Sequence, residues 1–339
     1  MDGEIIRLEP NLSKTEVKRQ HYIPQMYLRP FAVDGKIRVV DLDGGKREYK
    51  TSVGNVAVES HFYNVNVEDL RLSTEDWLAE LEGAAVPVLS KLIENPELII
   101  SLSLEEELII SRFITALRFR TPAFQDWNKR LTTSILTQIR NMAKDQIFHM
   151  KSRKEANAIW EEIKNKPDHW WMNEEKPVQP SETTAYMLSQ VHGFANLIRA
   201  APWRIGCAPD SIGLYTSDNP VASYLSPIRP WWEGGAFASH SYYMALSPTV
   251  LLVVERRPDT KEGEKLNPQG TRRHNDFSEW EISYARHLIT RDARRYLYGE
   301  ALIVDRDCAI ECLSNIDQAK LEFAVRYLGY NPSPPSMPN

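Results

Sequence analysis

SLEEELIISRFITALRFRTP, residues 103–122, carries the clearest helix of the chain and the point at which it stops. Ser103 with Glu106 three residues on is a capping-box pattern, in which hydroxyl and carboxylate each satisfy a backbone N–H left free at a helix start. Leu104, Leu108, Phe113, Ile114 and Leu117 follow at helical spacing and predict one buried stripe. Thr121-Pro122 closes the segment, because the residue before a proline is pushed out of helical geometry.

N-terminal to it, residues 73–76 (Ser-Thr-Glu-Asp) open another helix. Its apolar positions Trp77, Leu78, Leu81, Ala85, Val88, Leu89 and Leu92 run to Asn95-Pro96, with a kink expected at Pro87. Residues 35–65 alternate in period two around Asp34-Gly35 and Asp43-Gly44-Gly45. Ile37, Val39 and Asp41 fall on one face of a predicted hairpin, and a short strand is expected at 62–65. On the other side, residues 124–164 read as helix with a break near Ser152, and 167–180, with Trp170-Trp171 and three prolines, as an irregular connector and soft boundary. A buried helix is predicted over 182–200, with Met187, Val191, Phe194, Leu197 and Ile198 in register. The period then changes. Runs at 203–207, 213–217 and 250–255 read as an antiparallel sheet, followed by a polar loop at 256–273, helices at 278–294 and 315–327, and a proline-rich tail at 331–339. The fold class is α+β: a helical middle between an N-terminal hairpin region and a C-terminal antiparallel sheet.

Of the 339 residues 42% are hydrophobic, enough for one large core or two moderate ones. The first fourteen residues hold no apolar run of signal-peptide type, and no apolar stretch is long enough to cross a bilayer, so a cytoplasmic protein without membrane association is expected. Three cysteines fit a reducing compartment. Cys308 and Cys312 can share a helical face but have no histidine at zinc spacing and read as ordinary thiols, so no metal site is assigned and the cofactor stays unknown. The sequence contains no Gly-x-Gly-x-x-Gly, Walker or Gly-x-Ser-x-Gly pattern, and its histidines form no close pair.

Charge is unevenly spread. Between Arg112 and Lys154 ten basic residues face two acidic ones, a local +8 that leaves −13 for the rest of a chain whose total is −5. Clustered Lys and Arg can replace counterions around phosphates, which makes Arg118, Lys129, Arg130, Arg140 and Lys144 candidate nucleic-acid contacts. The same face can equally pair with the acidic remainder of the protein. The tryptophan pairs Trp170-Trp171 and Trp231-Trp232 can stack bases or fill a core.

The densest chemistry lies at residues 21–31, HYIPQMYLRPF. His21 can act as a general acid or base, and Arg29 can hold a carboxylate or phosphate. With a helical turn starting at Pro24, Gln25 and Arg29 share one face and Tyr27 another. The alternative is that His21 pins this turn while Tyr22, Leu28 and Phe31 pack beneath it. At residues 216–221 (Thr-Ser-Asp-Asn-Pro-Val), Asp218 and Asn219 follow a predicted strand and can project into a cleft or form an Asx-type turn.

Taken together, the His-Tyr-x-Pro-x-x-Tyr-Leu-Arg-x-Phe string, Phe62-Tyr63, Arg120-Thr121-Pro122, Ser217-Asp218-Asn219-Pro220 and Leu246-Ser247-Pro248 resemble the family known as domain of unknown function 4238. The resemblance covers about residues 20–300, between a polar leader at 1–19 and the tail, and puts one family domain over 20–330 with a soft subdivision near 165–181. The chain departs at Leu117, near which the family often carries Gln. The family has no established reaction; some members are associated with bacterial defence against phage, which implies an effector acting on nucleic acid or nucleotides. The expected enzyme is a phosphodiester- or nucleotide-directed hydrolase or transferase with His21 as acid/base, Arg29 and Arg120 on phosphate, and Asp218 and Asn219 completing the cleft. The rival is a non-catalytic sensor that binds a polyanion or partner protein through the basic 112–154 helices. A small-molecule module with a tryptophan-lined pocket is the third reading.

Overall fold

The computed structural model describes residues 19–43, 47–60, 65–67, 70–72, 75–172, 186–225, 240–255 and 270–300. The expected helix at 315–327, the tail, Phe62-Tyr63, Trp231-Trp232, Cys308 and Cys312 lie outside them. The fold is α+β, as the sequence predicts.

In chain order, β1 (Arg19–His21) leads into a single helical turn, α1 (Gln25–Leu28), which continues as a 3-10 turn at Arg29–Phe31. Pro24 stands one position earlier than predicted, as the extended N-cap. The hairpin follows as β2 (Lys36–Asp41) and β3 (Arg47–Ser52). Ile37, Val39 and Asp41 are buried on one face as the alternation requires. Asp34 and Gly35 both take positive φ, 51° and 70°, in the turn that precedes it, a geometry that Asp-Gly accepts readily. β4 (Val58–Ser60) pairs with β1, and β5 (Val65–Val67) pairs with β6 (Leu70–Leu72).

The helical middle comprises α2 (Glu75–Glu94), which contains Pro87, α3 (Leu104–Phe119), α4 (Pro122–Met150), α5 (Arg153–Ile163), α6 (Asp168–Trp171) and α7 (Val191–Ala200). Ser103–Glu106 forms the capping box on α3, and Ser152–Glu155 forms another where the break was expected. Leu104 is 55% exposed, because the first turn of α3 stands clear of the core. Further along, α3 is buried on several sides: Glu107, Ile110, Ser111, Phe113, Thr115 and Leu117 are all enclosed. Leu117 is thus a core residue. The expected connector at 167–180 begins instead as helical α6, entered from an extended Pro167. Leu197 is the other stripe residue the structure turns outward, at 44% exposure.

After α7 come β7 (Trp203–Cys207), β8 (Thr216–Ser217), β9 (Ala222–Leu225), β10 (His240–Ala245), β11 (Val250–Val254), β12 (Arg272–His274), α8 (Glu279–Asp292) and β13 (Tyr296–Tyr298). Two sheets result. One has the order β12-β7-β11-β10-β9 and is antiparallel except for the parallel β12–β7 pair. The other, β3-β2-β13-β8, joins the N-terminal hairpin to strands from the far end of the chain. The hairpin and C-terminal strands, read separately from sequence, therefore share a sheet. Gly206 is required where β7 meets the segment after β12: a Cβ there would lie 2.2 Å from the carbonyl oxygen of Asn275. Among the described residues, no helix is long and apolar enough to cross a membrane.

A buried ion pair ties α3 to the larger sheet. Arg272 Nε donates to Glu107 Oε1 at 2.9 Å, its Nη1 and Nη2 donate to the carbonyls of Ala201 and Arg199, and its guanidinium lies 4.0 Å over the Trp203 ring. The two side chains are 6% and 1% exposed. Glu107→Ala should cost about 3–5 kcal/mol in chemical denaturation because it strands a buried guanidinium, whereas Glu107→Leu with Arg272→Met should recover only part of the loss, since it also removes the donors to the Ala201 and Arg199 carbonyls.

Candidate functional site

The motifs of the first part of the chain meet those of the last part through side-chain-to-backbone bonds. Arg120, 2% exposed, donates from Nε to the carbonyl of Tyr22 at 2.9 Å and pairs through Nη1 with Glu82 at 2.6 Å. Tyr27 is buried and donates its hydroxyl to the carbonyl of Ala245 at 2.7 Å; with that proton committed, the Thr216 hydroxyl at 3.0 Å donates to it. Ser247 accepts from the N–H groups of Thr249 and Val250 and shapes the entry to β11.

Ser217, Asp218 and Asn219 act as a set. Ser217 Oγ accepts from the Asn219 N–H at 3.1 Å, a local turn. The Asp218 carboxylate, 2% exposed, accepts three backbone N–H groups from the corner between α8 and β13: Arg294 at 2.8 Å on Oδ1, Arg295 at 2.8 Å and Tyr296 at 3.1 Å on Oδ2. Burial pushes this carboxyl above the usual carboxylate range, against the pull of the three N–H groups and the Arg294 charge. Asn219 Nδ2 donates to the carbonyl of Asp292 at 3.0 Å, capping the end of α8. Tyr22 and Tyr298 lie beside Asp218 and share a hydrogen bond; burial first, and the nearby carboxylate among the other causes, hold both phenols well above their ordinary range.

Beyond this corner lies a polar cleft of about 400 Å³. One wall is the start of α4 with the end of α3, presenting Arg118, Phe124, Asp126, Trp127 and Arg130. The other is Asn219, Ser223 and the end of α8, with Arg291, Asp292 and Arg294. α4 is aimed by Thr121, which accepts from the Phe124 N–H at 3.2 Å as N-cap, with Pro122 as first helical residue. Arg-Thr-Pro thus both stops α3 and starts α4. Thr121 Oγ1 also lies 3.5 Å from Asn219 Oδ1, where the two walls approach. Four guanidinium groups face two carboxylates in the cleft. Arg118 donates to the Val221 carbonyl at 3.1 Å and lies 5.1 Å from the Tyr242 ring centroid. Asp292 accepts from the Ser223 N–H at 2.8 Å and pairs with Arg291, while Arg294 pairs with Asp126 at 2.7 Å. Arg130 is exposed. Trp127 is the outermost ring of a ladder, Phe194–Phe119–Phe124–Trp127, with centroid separations of 5.2, 4.9 and 5.4 Å.

The structure therefore divides the sequence-predicted site. Asn219, Arg118 and Arg130 line one cleft. Asp218 and Arg120 stand behind it, engaged with backbone, and His21 and Arg29 are not on its walls. His21 Nε2 lies 3.3 Å from Gln25 Nε2 beside α1, and Arg29 is exposed. Farther out on α4, Lys129 is exposed, Arg140 pairs with Asp168 at 2.7 Å and covers Trp171, and Lys144 covers Trp160. Sequence reading missed Asp126, Trp127, Ser223, Arg291, Asp292 and Arg294. Their only sequence signal was the place of Asp126 and Trp127 about one helical turn after Arg120-Thr121-Pro122. Among the described residues, no cluster of three or more His, Cys, Asp or Glu is arranged to hold a metal ion.

The model of the protein family of unknown function DUF4238 matches residues 19–301. The chain belongs to this family. No curated protein and no solved structure matches it. Of the residues that carry the family resemblance, Tyr27, Arg120, Asp218 and Asn219 thus tie distant segments together through backbone bonds.

Two substitutions test that fastening. Asp218→Asn places an NH2 group against at least one of the three N–H groups and removes the charge that strengthens the other bonds, and should cost about 2–4 kcal/mol in denaturant titrations. Tyr27→Phe leaves the Ala245 carbonyl without its donor and should cost about 1–2 kcal/mol, read in the same way.

Proposed function

We propose that the protein is an effector that acts through a phosphate-bearing ligand, a nucleotide or a nucleic-acid strand, which it recognises in the cleft between α4 and the α8–β13 corner. The observation that carries this reading is the excess of guanidinium over carboxylate in a cleft of about 400 Å³ that also presents an aromatic ring. Arginine suits phosphate because its planar fork offers paired N–H donors and stays charged at any physiological pH. A volume of this size fits small-molecule sites. The Trp127 ring, backed by Phe124, can stack a base while Arg118 and Arg130 meet phosphate oxygens. A role in bacterial defence belongs to the same reading, and its support is the family resemblance alone.

Recognition is better supported than turnover. The Asp218 carboxylate has its oxygens committed to three backbone N–H groups, and His21 stands off the cleft walls. For the rival reading, a non-catalytic sensor that binds a polyanion or partner protein through the basic 112–154 helices, the placement of Arg140 and Lys144 against Trp171 and Trp160 gives those cations a structural use.

Titration calorimetry with ATP, AMP, inorganic phosphate and a short single-stranded oligonucleotide tests the proposal. Binding should weaken roughly tenfold in Arg130→Gln and at least as much in Arg118→Gln, with melting temperatures close to wild type for the first. Affinity should also fall as salt rises. Absence of binding by all four ligands at millimolar concentration would refute it. If product appears, its loss in His21→Ala with binding intact would restore the hydrolase or transferase expectation.

A further inference from the structure

The Arg294–Asp126 pair spans the cleft from one wall to the other. Arg294 Nε and Asp126 Oδ2 are 2.7 Å apart, with side chains 49% and 47% exposed. Both partners are rooted in firm backbone. Arg294 follows α8, and its N–H is held by Asp218 Oδ1 at 2.8 Å. Asp126 sits in α4 just past the turn capped by Thr121. Each side chain can swing while its Cα stays in place, since half-exposed ion pairs are held by little net free energy.

Resting on the phosphate-ligand reading, we infer that Asp126 is an internal stand-in for the ligand. Its carboxylate occupies the place on Arg294 that a phosphate takes when the ligand binds, and the phosphate must displace it. Carboxylate and phosphate offer a guanidinium the same paired oxygens, so one can replace the other without rebuilding the wall. A phosphate dianion outcompetes a single carboxylate; a neutral or singly charged solute gains nothing by the exchange. Asp126 thereby sets a charge threshold for entry, selecting by repulsion as well as attraction. Arg294 is a further ligand-binding residue, screened until the right ligand arrives.

The test is a double-mutant cycle on the full chain with ATP and inorganic phosphate as probes, read by calorimetry. Asp126→Asn should bind both about two- to fivefold more tightly than wild type, the factor expected from release of one exposed ion pair. Arg294→Gln should bind more weakly than wild type. In the Arg294→Gln background, Asp126→Asn should bring no gain, because nothing remains to unmask. A gain that persists in that background would mean that Asp126 acts only through its general field and would overturn the displacement. Equal or weaker binding by Asp126→Asn, repeated with Asp126→Ser, would overturn it as well, while wild-type binding would leave the cleft reading standing. No phosphate binding by wild type or variants would remove both.

Discussion

Three N–H groups converging on the Asp218 carboxylate hold the corner at residues 294–296, and the second wall of the cleft hangs from that corner. Between the end of α8 and the first residue of β13, three successive N–H groups, at 294, 295 and 296, converge on one side chain. A buried acceptor with two oxygens satisfies them together, and its negative charge makes each bond stronger than a neutral one. Asn219 does the complementary work on the last carbonyl of α8. Once the corner is fixed, the positions of Arg291, Asp292 and Arg294 follow, and β13 is delivered between β2 and β8 to complete the smaller sheet.

The remaining family motifs extend the same logic. Arg120 reaches the Tyr22 carbonyl and Tyr27 reaches the Ala245 carbonyl; outside the motifs, Arg272 likewise reaches carbonyls at 199 and 201 as well as Glu107. In each case a long polar side chain crosses between distant segments and ends on backbone, so the bond does not depend on the partner's side-chain identity. A family signature made of scattered Tyr, Arg and Asp residues therefore need not spell out a catalytic apparatus. In this chain it holds together the walls of a cleft.

Local features were legible in the sequence and distant ones were not. The Ser103 capping box, the break at Ser152, the helix start at Ser278, the burial alternation of Ile37, Val39 and Asp41, and the strand at Trp203–Cys207 all follow from patterns a few residues long. Leu104 and Leu197 broke the stripe rule because periodicity reports a face and not whether a neighbour covers it. β13 escaped notice because three residues, Tyr296–Tyr298, carry no period of their own and become a strand only by pairing with β2 and β8. The cleft was half visible. Arg118, Arg130 and Asn219 stood out by charge or motif, whereas Asp126 and Arg294 look like ordinary surface residues until the fold brings them within 2.7 Å.

Only Arg120 and Thr121 separate α3 from α4. Both are buried and bonded, so the joint behaves as a rigid elbow rather than a linker. One residue gained or lost there would rotate α4 by about 100° about its own axis and carry Trp127 and Arg130 around to another side of the helix. The spacing across the joint is thus a phase relation: chain length, as much as residue type, keeps the aromatic ring and the guanidinium groups facing the same space.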